Sequence, residues 1–309
     1  MLRLLFSSRP GAFAGYEAAL AEALAEAGLD AEVREDWPAE EVDYILYAPV
    51  GRLRDFTPFT RAKAVLSLWA GVEHVVDNPT LHLPLARMVD DGLERGMVEY
   101  VAAHVLRHHV GLDAHVVNPA HDWAPRLPKL ARERRVTILG LGALGRACAE
   151  ALAGFGFDVT GWSRRPKTVA GIRCLSGPEG LAAALEGAEI LVTLLPLTQA
   201  TESLVDADAL ARLAPGAILL NPGRGALIDE EALLAALDSG QLSHATLDVF
   251  RKEPLRKDHP FWQHPQVTVT PHIAAETRPR TAARVIAENI RRHEAGEPLL
   301  HLVDRAAGY

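Results

Sequence analysis

Two cysteines in 309 residues, Cys148 and Cys174, allow at most one disulfide, so no disulfide framework holds this chain together. They fall in patterns that read as a helix and a strand, where a buried free thiol is the ordinary state, and a reducing, cytoplasmic compartment fits both. An excess of cations is missing too. Lys and Arg number 32 against 40 Asp and Glu, and the net charge of −8 argues against nucleic acid or an anionic membrane as a partner. A few local cations can still receive an anionic substrate. Also absent is any apolar run near the roughly 18 residues of a spanning helix. The opening stretch, Met1 to Ser8, is too short for a secretory core and reads as a strand.

What is present is an ordinary globular composition, 49% hydrophobic and 23% charged, at a length that suggests two domains. Leu2–Phe6, Tyr44–Tyr47 and Ala64–Leu68 read as strands. Tyr16–Ala27 reads as a helix stopped by Gly28. Met97–Leu112 reads as one long helix, and the polar, proline-bearing stretch Asn118–Lys129 as a connection. Six further apolar runs follow: Val136–Leu139, Asp158–Trp162, Ile190–Leu195, Ala217–Leu220, Ala245–Leu247 and Val267–Thr270. Helix-like segments such as Pro178–Leu185 and Glu230–Leu237 separate most of them. This alternation predicts an α/β protein of two Rossmann-like or flavodoxin-like domains, the larger a doubly wound parallel sheet that binds a dinucleotide.

The sharpest local signal is Gly140-Leu-Gly142-Ala-Leu-Gly145, placed between the strand Val136–Leu139 and the helix Arg146–Ala153. Gly140 permits a tight turn, Gly142 lets a pyrophosphate approach the backbone, and Gly145 lets helix and strand pack closely. The bland alternative is a structural glycine turn. About 20 residues on, an NAD site would carry a carboxylate for the ribose hydroxyls. Here the chain reads Gly161-Trp162-Ser163-Arg164-Arg165-Pro166-Lys167, with no carboxylate and three cations. That set suits a 2′-phosphate, so NADP(H) is expected to be preferred over NAD(H); otherwise this is a solvated basic turn.

Three segments at later strand ends each carry one functional side chain: Arg224 in NPGRG, Glu253 in DVFRKEPL and His272 in TPHIAA. Reducing a carbonyl leaves negative charge on its oxygen, which calls for a proton donor and a fixed cation. His272 suits the acid, Glu253 would favour and orient its imidazolium, and Arg224 would hold a substrate carboxylate. Taken singly, each has a bland reading as a satisfied histidine, a helix cap or a solvated charge. His104 and His108 have metal-binding spacing but lack a glutamate between them and an obvious third ligand; that helix reads instead as an interface or hinge element.

The order GLGALG, NPGRG, DVFRKEPL, TPHIAA resembles the D-2-hydroxyacid dehydrogenase family. Trp162-Ser-Arg164, Ala235-Ala-Leu-Asp-Ser-Gly240, Thr277-Arg-Pro279 and the stretch Val303–Tyr309 look like its glyoxylate/hydroxypyruvate reductase A branch. The resemblance implies NADPH-dependent reduction of glyoxylate to glycolate and of hydroxypyruvate to D-glycerate, with Arg224, Glu253 and His272 catalytic. It implies a substrate domain of residues 1–91 plus 277–309, closing over a dinucleotide domain of 92–276, and a homodimer built on the helix 97–112. Ala143, Leu144, Leu195, Pro196, Asn221, Pro222, Gly223, Asp248 and Ala274 would join the glycines and His272 around the cofactor. Ala70 and Gly71 would meet the substrate carboxylate. Trp69 stands where relatives of this branch often have glycine, so it would narrow the pocket, stack on substrate or merely pack. Another short 2-oxo acid, or a nucleotide-sensing interaction protein on the same scaffold, are the alternative functions.

Overall fold

Leu4 and Phe6 turn to one face of a sheet and Leu5 to the other, and each face carries its own apolar cluster, so this run is a strand buried on both sides. In the computed structural model, which describes residues 1–309 except Val117 and Asp122, the chain divides into two compact units. One comprises Met1–Leu93 and Glu276–Tyr309, the other Glu94–Ala275.

The first unit contains β1 (Leu2–Ser7), α1 (Phe13–Glu26), β2 (Ala31–Arg34), β3 (Tyr44–Tyr47), β4 (Ala64–Ser67) and β5 (Leu85–Ala86), all strands parallel in the order β2-β1-β3-β4-β5. Two of these strands carry no long apolar run: β2 is a polar edge strand and β5 has only two residues. α2 (Asp91–His109) then leads into the second unit. It begins six residues before the expected Met97, through a glycine-bearing, polar stretch with no helical period, and Val110–Leu112 lie past its end. Met97, Val101 and Val105, spaced by four, are its buried stripe.

The second unit holds α3 (Asp113–Val116), β6 (Arg135–Leu139), α4 (Ala143–Gly154), β7 (Asp158–Ser163), β8 (Arg173–Ser176), α5 (Gly177–Leu185), β9 (Ile190–Thr193), α6 (Ala207–Ala211), β10 (Ala217–Asn221), α7 (Glu230–Asp238), β11 (Leu242–Leu247) and β12 (Val267–Val269). Its seven strands are parallel in the order β12-β11-β10-β9-β6-β7-β8. The winding reverses between β6 and β9, the switch point at which doubly wound sheets bind ligands. The seventh strand is β8, whose sequence RCLS shows no apolar run because it lies at the sheet edge. Asn118–Lys129 lies within this unit, not between units, and its described residues form no helix or strand; Asp122 is outside them. Finally α8 (Pro279–Glu294) returns to the first unit. There Ala282, Ala283, Ile286, Ala287 and Ile290 form one buried face in the cluster that covers β1, β3 and β4. No described helix is long and apolar enough to cross a membrane.

Candidate active site

At the switch point β6 ends in Leu139 and the chain turns through Gly140, whose φ is +109°. A side chain there would meet the Leu194 carbonyl oxygen at 2.5 Å, because the segment running on to Leu195 and Pro196 passes directly alongside. At Gly145 a Cβ would lie 1.7 Å from the Gly140 carbonyl oxygen. These two glycines are therefore required by the protein's own packing. Gly142 is different: a Cβ there would meet nothing within 4 Å. It precedes α4 in extended conformation, and no side chain caps that helix start. The first N–H groups of α4, those of Ala143 and Leu144 included, thus open onto space that a methyl group would enter, which is what a bound pyrophosphate needs.

β7, the neighbouring strand, ends at Ser163 without a carboxylate, and Arg164, Arg165 and Lys167 stand exposed on the turn beyond it. Ser163 belongs to the set that the sequence assigns to the cofactor. Its Oγ donates to the Arg165 carbonyl at 2.8 Å and shapes the turn that displays the two arginines. Trp162 likewise packs in the core, with its indole N–H donated to the Gly177 carbonyl at 2.8 Å.

On the other side of the switch point, Asn221 ends β10 fully buried. Its Oδ1 accepts from Thr193 Oγ1 at 2.6 Å and from Gly223 N at 3.2 Å, and its Nδ2 donates to the Arg224 carbonyl at 2.9 Å. The Asn221–Gly223 turn, Pro222 included, is thereby rigid before it delivers Arg224, whose Nη1 donates to the Gly223 carbonyl at 2.7 Å. Gly225 follows because a Cβ there would fall 2.0 Å from the carbonyl carbon of Phe250. Phe250 N in turn donates to Glu253 Oε1 at 2.9 Å, and Glu253 Oε2 meets His272 Nδ1 at 2.7 Å. A carboxylate only accepts, so the hydrogen lies on Nδ1 and Nε2 is left to exchange a proton.

Arg224, Glu253 and His272 thus act on one another. The hydrogen bond that His272 donates to Glu253, opposed by burial and by Arg224, raises the His272 pKa above its ordinary 6.5. Burial pushes the Glu253 carboxyl up, but bonds from His272 and the Phe250 backbone, with the His272 and Arg224 charges, outweigh it and hold the pKa below 4.5. The arrangement is an imidazole whose charged form a carboxylate favours, within electrostatic reach of a guanidinium.

Residues 100–274 match the family described as D-isomer specific 2-hydroxyacid dehydrogenase, NAD binding domain. The chain belongs to this family. It is 42% identical over 257 residues to the glyoxylate/hydroxypyruvate reductase A of Serratia proteamaculans, covering 81% of this chain and 82% of that one. Among solved structures, the D-isomer specific 2-hydroxyacid dehydrogenase of Xanthobacter autotrophicus Py2, in complex with NADPH and MES, superimposes with a TM-score of 0.91 at 42% identity over 99% of each chain. The NADPH-dependent glyoxylate/hydroxypyruvate reductase of Sinorhizobium meliloti, in complex with NADP and sulfate, gives 0.86 at 35% identity over the whole of both.

Within this family member, Asp248 is fully buried. Its Oδ1 accepts from Thr270 Oγ1 at 2.6 Å and Ile273 N at 2.9 Å, and its Oδ2 accepts from Ala274 N at 2.9 Å. Thr270 and Tyr100, whose hydroxyls lie 2.7 Å apart, extend this network. In the sequence the TPH motif marks Thr270, and no motif marks Tyr100. Trp69, Ala70 and Gly71 follow β4 in the first unit. Ser67 Oγ accepts from Trp69 N at 3.0 Å and donates to its carbonyl at 2.9 Å, while the indole stays 37% exposed. His108 Nε2 lies 3.0 Å from Thr246 Oγ1 and its ring 4.8 Å from that of His244; burial first pulls these two imidazoles down, to about 3 and about 4.

Proposed function

We propose that this dehydrogenase reduces small 2-oxo acids, glyoxylate to glycolate and hydroxypyruvate to D-glycerate, with NADPH. The observation that carries the reading is the His272–Glu253 pair at 2.7 Å with Arg224 felt by both groups. The names of the relatives from Serratia proteamaculans and Sinorhizobium meliloti support the substrate. The bound NADPH and NADP of the Xanthobacter and Sinorhizobium structures support the cofactor.

Gly142 and the first N–H groups of α4 would hold the pyrophosphate, and Arg164 with Arg165 the 2′-phosphate. Leu195, Pro196 and the Asn221–Gly223 turn would flank the remainder. When bound, NADPH supplies the hydride for the carbonyl carbon. Arg224 pairs its planar fork with the substrate carboxylate and draws charge toward the carbonyl oxygen. His272 Nε2 delivers the proton to that oxygen, and Glu253 keeps the ring oriented and charged until then. Trp69, Ala70 and Gly71, in the unit to which we assign the substrate-domain role, are given to the substrate by family resemblance alone.

We further infer a cytoplasmic homodimer. Both cysteines are free, Cys148 is buried with its thiol pushed up to about 12, and Trp123 and Leu127 are each 95% exposed on the segment after α3. Large apolar side chains set out in this way suit a second copy of the chain. Sedimentation of a Trp123→Ser/Leu127→Ser double variant should show a monomer.

The deciding assay follows NADPH and NADH oxidation with glyoxylate and with hydroxypyruvate. The parent should turn over, and Arg224→Ala and His272→Ala should lose activity by about three orders of magnitude. A parent silent on both acids overturns the proposal.

A further inference from the structure

Arg251 plays no part in the chemistry described above, yet its guanidinium reaches across to the turn that follows Arg224. Nη2 donates to Ser203 Oγ and to the Ile228 carbonyl at 3.1 Å, with the Ala226 carbonyl at 3.5 Å, and Nη1 reaches Glu202 Oε1 at 3.3 Å. Its acceptors lie on two strips of chain that already pair. Ser203 N donates to the Ala226 carbonyl at 2.8 Å and Val205 N to the Leu227 carbonyl at 2.9 Å. Gly225–Leu227 is a short 3₁₀ turn that begins directly after Arg224.

The other end of this side chain is anchored beside the acid. Arg251 stands two residues before Glu253, and Phe250 N fixes the Glu253 carboxylate at 2.9 Å. The backbones of the two loops touch where Gly225 faces Phe250. Arg224 is therefore held from two directions. Asn221 and Gly223 restrain it from the strand side, and Arg251 restrains the turn on its far side.

We propose that Arg251 is a positioning residue that fixes Arg224 relative to Glu253 and His272. This rests on the reductase reading for what Arg224 does, but the geometry it invokes is independent of turnover. Only a planar fork reaches several acceptors on the 202–203 and 226–228 segments at once; a lysine ammonium satisfies one or two of them. The side chain is 34% exposed, so its removal leaves the core intact. Displacing a substrate-holding group by about 1 Å, in contrast, costs up to roughly a hundred-fold in rate.

The test compares parent, Arg251→Ala and Arg251→Lys by kinetics with glyoxylate and NADPH and by NMR titration of the His272 ring in the cofactor-free protein. The expected result is a roughly ten- to hundred-fold loss of kcat/KM for the acid in Arg251→Ala with KM for NADPH unchanged. His272 should titrate at higher pH, because the Arg224 charge that pulls its pKa down has moved off. Arg251→Lys keeps the charge but not the fork, and it should shift in the same direction. Parent-like kinetics and titration in Arg251→Ala overturn the proposal, as does an Arg251→Lys variant indistinguishable from the parent. If the parent reduces no 2-oxo acid, the reductase reading falls, and the His272 titration still decides the role of Arg251.

Discussion

Asp248 grips the turn that presents His272. The backbone of His272 is left-handed, with φ +55°, a conformation that costs a non-glycine residue free energy and persists only where neighbours enforce it. Here the enforcement comes from Asp248. Its carbonyl accepts from His272 N at 2.8 Å and its carboxylate takes Thr270 Oγ1, Ile273 N and Ala274 N. Since Thr270 gives its only hydroxyl hydrogen to Asp248, the Tyr100 hydroxyl must donate to Thr270, and the chain of bonds is polarised toward the carboxylate.

Asp248→Asn should therefore damage the histidine turn without touching the histidine. An amide has one acceptor oxygen where the turn needs two, and its NH₂ would face an N–H or a hydroxyl. We expect a stability loss of about 1–3 kcal/mol and a ten- to hundred-fold fall in kcat, roughly. Loss of the negative charge that raises His272 also moves the alkaline limb of the pH profile to lower pH. A variant with parent melting temperature and parent pH profile would show that the turn holds itself.

The pair of His272 and Glu253 has its own pH signature. Reduction needs the imidazolium, so kcat/KM should be flat at low pH and fall as pH rises through a value above 6.5. Glu253→Gln removes the charged acceptor that sustains this value; the limb should move down in pH and kcat near neutrality should drop about a hundred-fold. Stability follows the same groups. The raised His272 contributes stability that is full below 6.5 and lost as pH climbs through its folded value. The depressed Glu253 contributes stability present above 4.5 and lost as pH falls through its folded value. Melting temperatures of parent and variant should thus differ most between those two values and converge outside them.

Much of this site is legible from the sequence for a physical reason. Strand, glycine turn and helix at Arg135–Gly154 are contiguous, and each states its own backbone requirement. Arg224, Glu253 and His272 follow the strands β10, β11 and β12, and the doubly wound topology then gathers those strand ends at one edge. What stays hidden is anything set by a distant partner. Asp248 is placed beside the cofactor by family resemblance, but its grip on the histidine turn stays hidden, because that role depends on N–H groups 25 and 26 residues away. β2 and β8 escape because these two edge strands, unlike the edge strand β12, carry no apolar run.

The two glycine substitutions separate fold from function. Gly145→Ala would drive a methyl group into the Gly140 carbonyl oxygen, so a loss of about 3 kcal/mol or more is expected together with cofactor binding. Gly142→Ala meets no protein atom within 4 Å, and should cost no more than about 1 kcal/mol. NADPH affinity should nevertheless collapse, because the methyl group enters the space before α4. Thermal melts without cofactor and NADPH titrations separate the two. Unimpaired NADPH binding by a folded Gly142→Ala protein would place the pyrophosphate elsewhere.

The choice between the two nicotinamide cofactors should rest on the turn after β7. Arg164 and Arg165 are exposed there, and the strand end offers the ribose hydroxyls no carboxylate. A charge-assisted bond to phosphate is worth about 1.5–3 kcal/mol, so Arg164→Ala or Arg165→Ala should each raise KM for NADPH by roughly ten- to a hundred-fold. KM for NADH, which has no 2′-phosphate, should barely move. Raising the salt concentration should weaken NADPH more than NADH in the parent and erase that difference in the double variant, since solvent-facing charges are screened. Arg164→Asp goes further. It restores the acceptor that ribose hydroxyls seek and sets a like charge against the phosphate, so its kcat/KM ratio should favour NADH. Were all three variants to keep the parent's ratio, the 2′-phosphate would have to be read by other residues, and these arginines would be no more than a solvated turn.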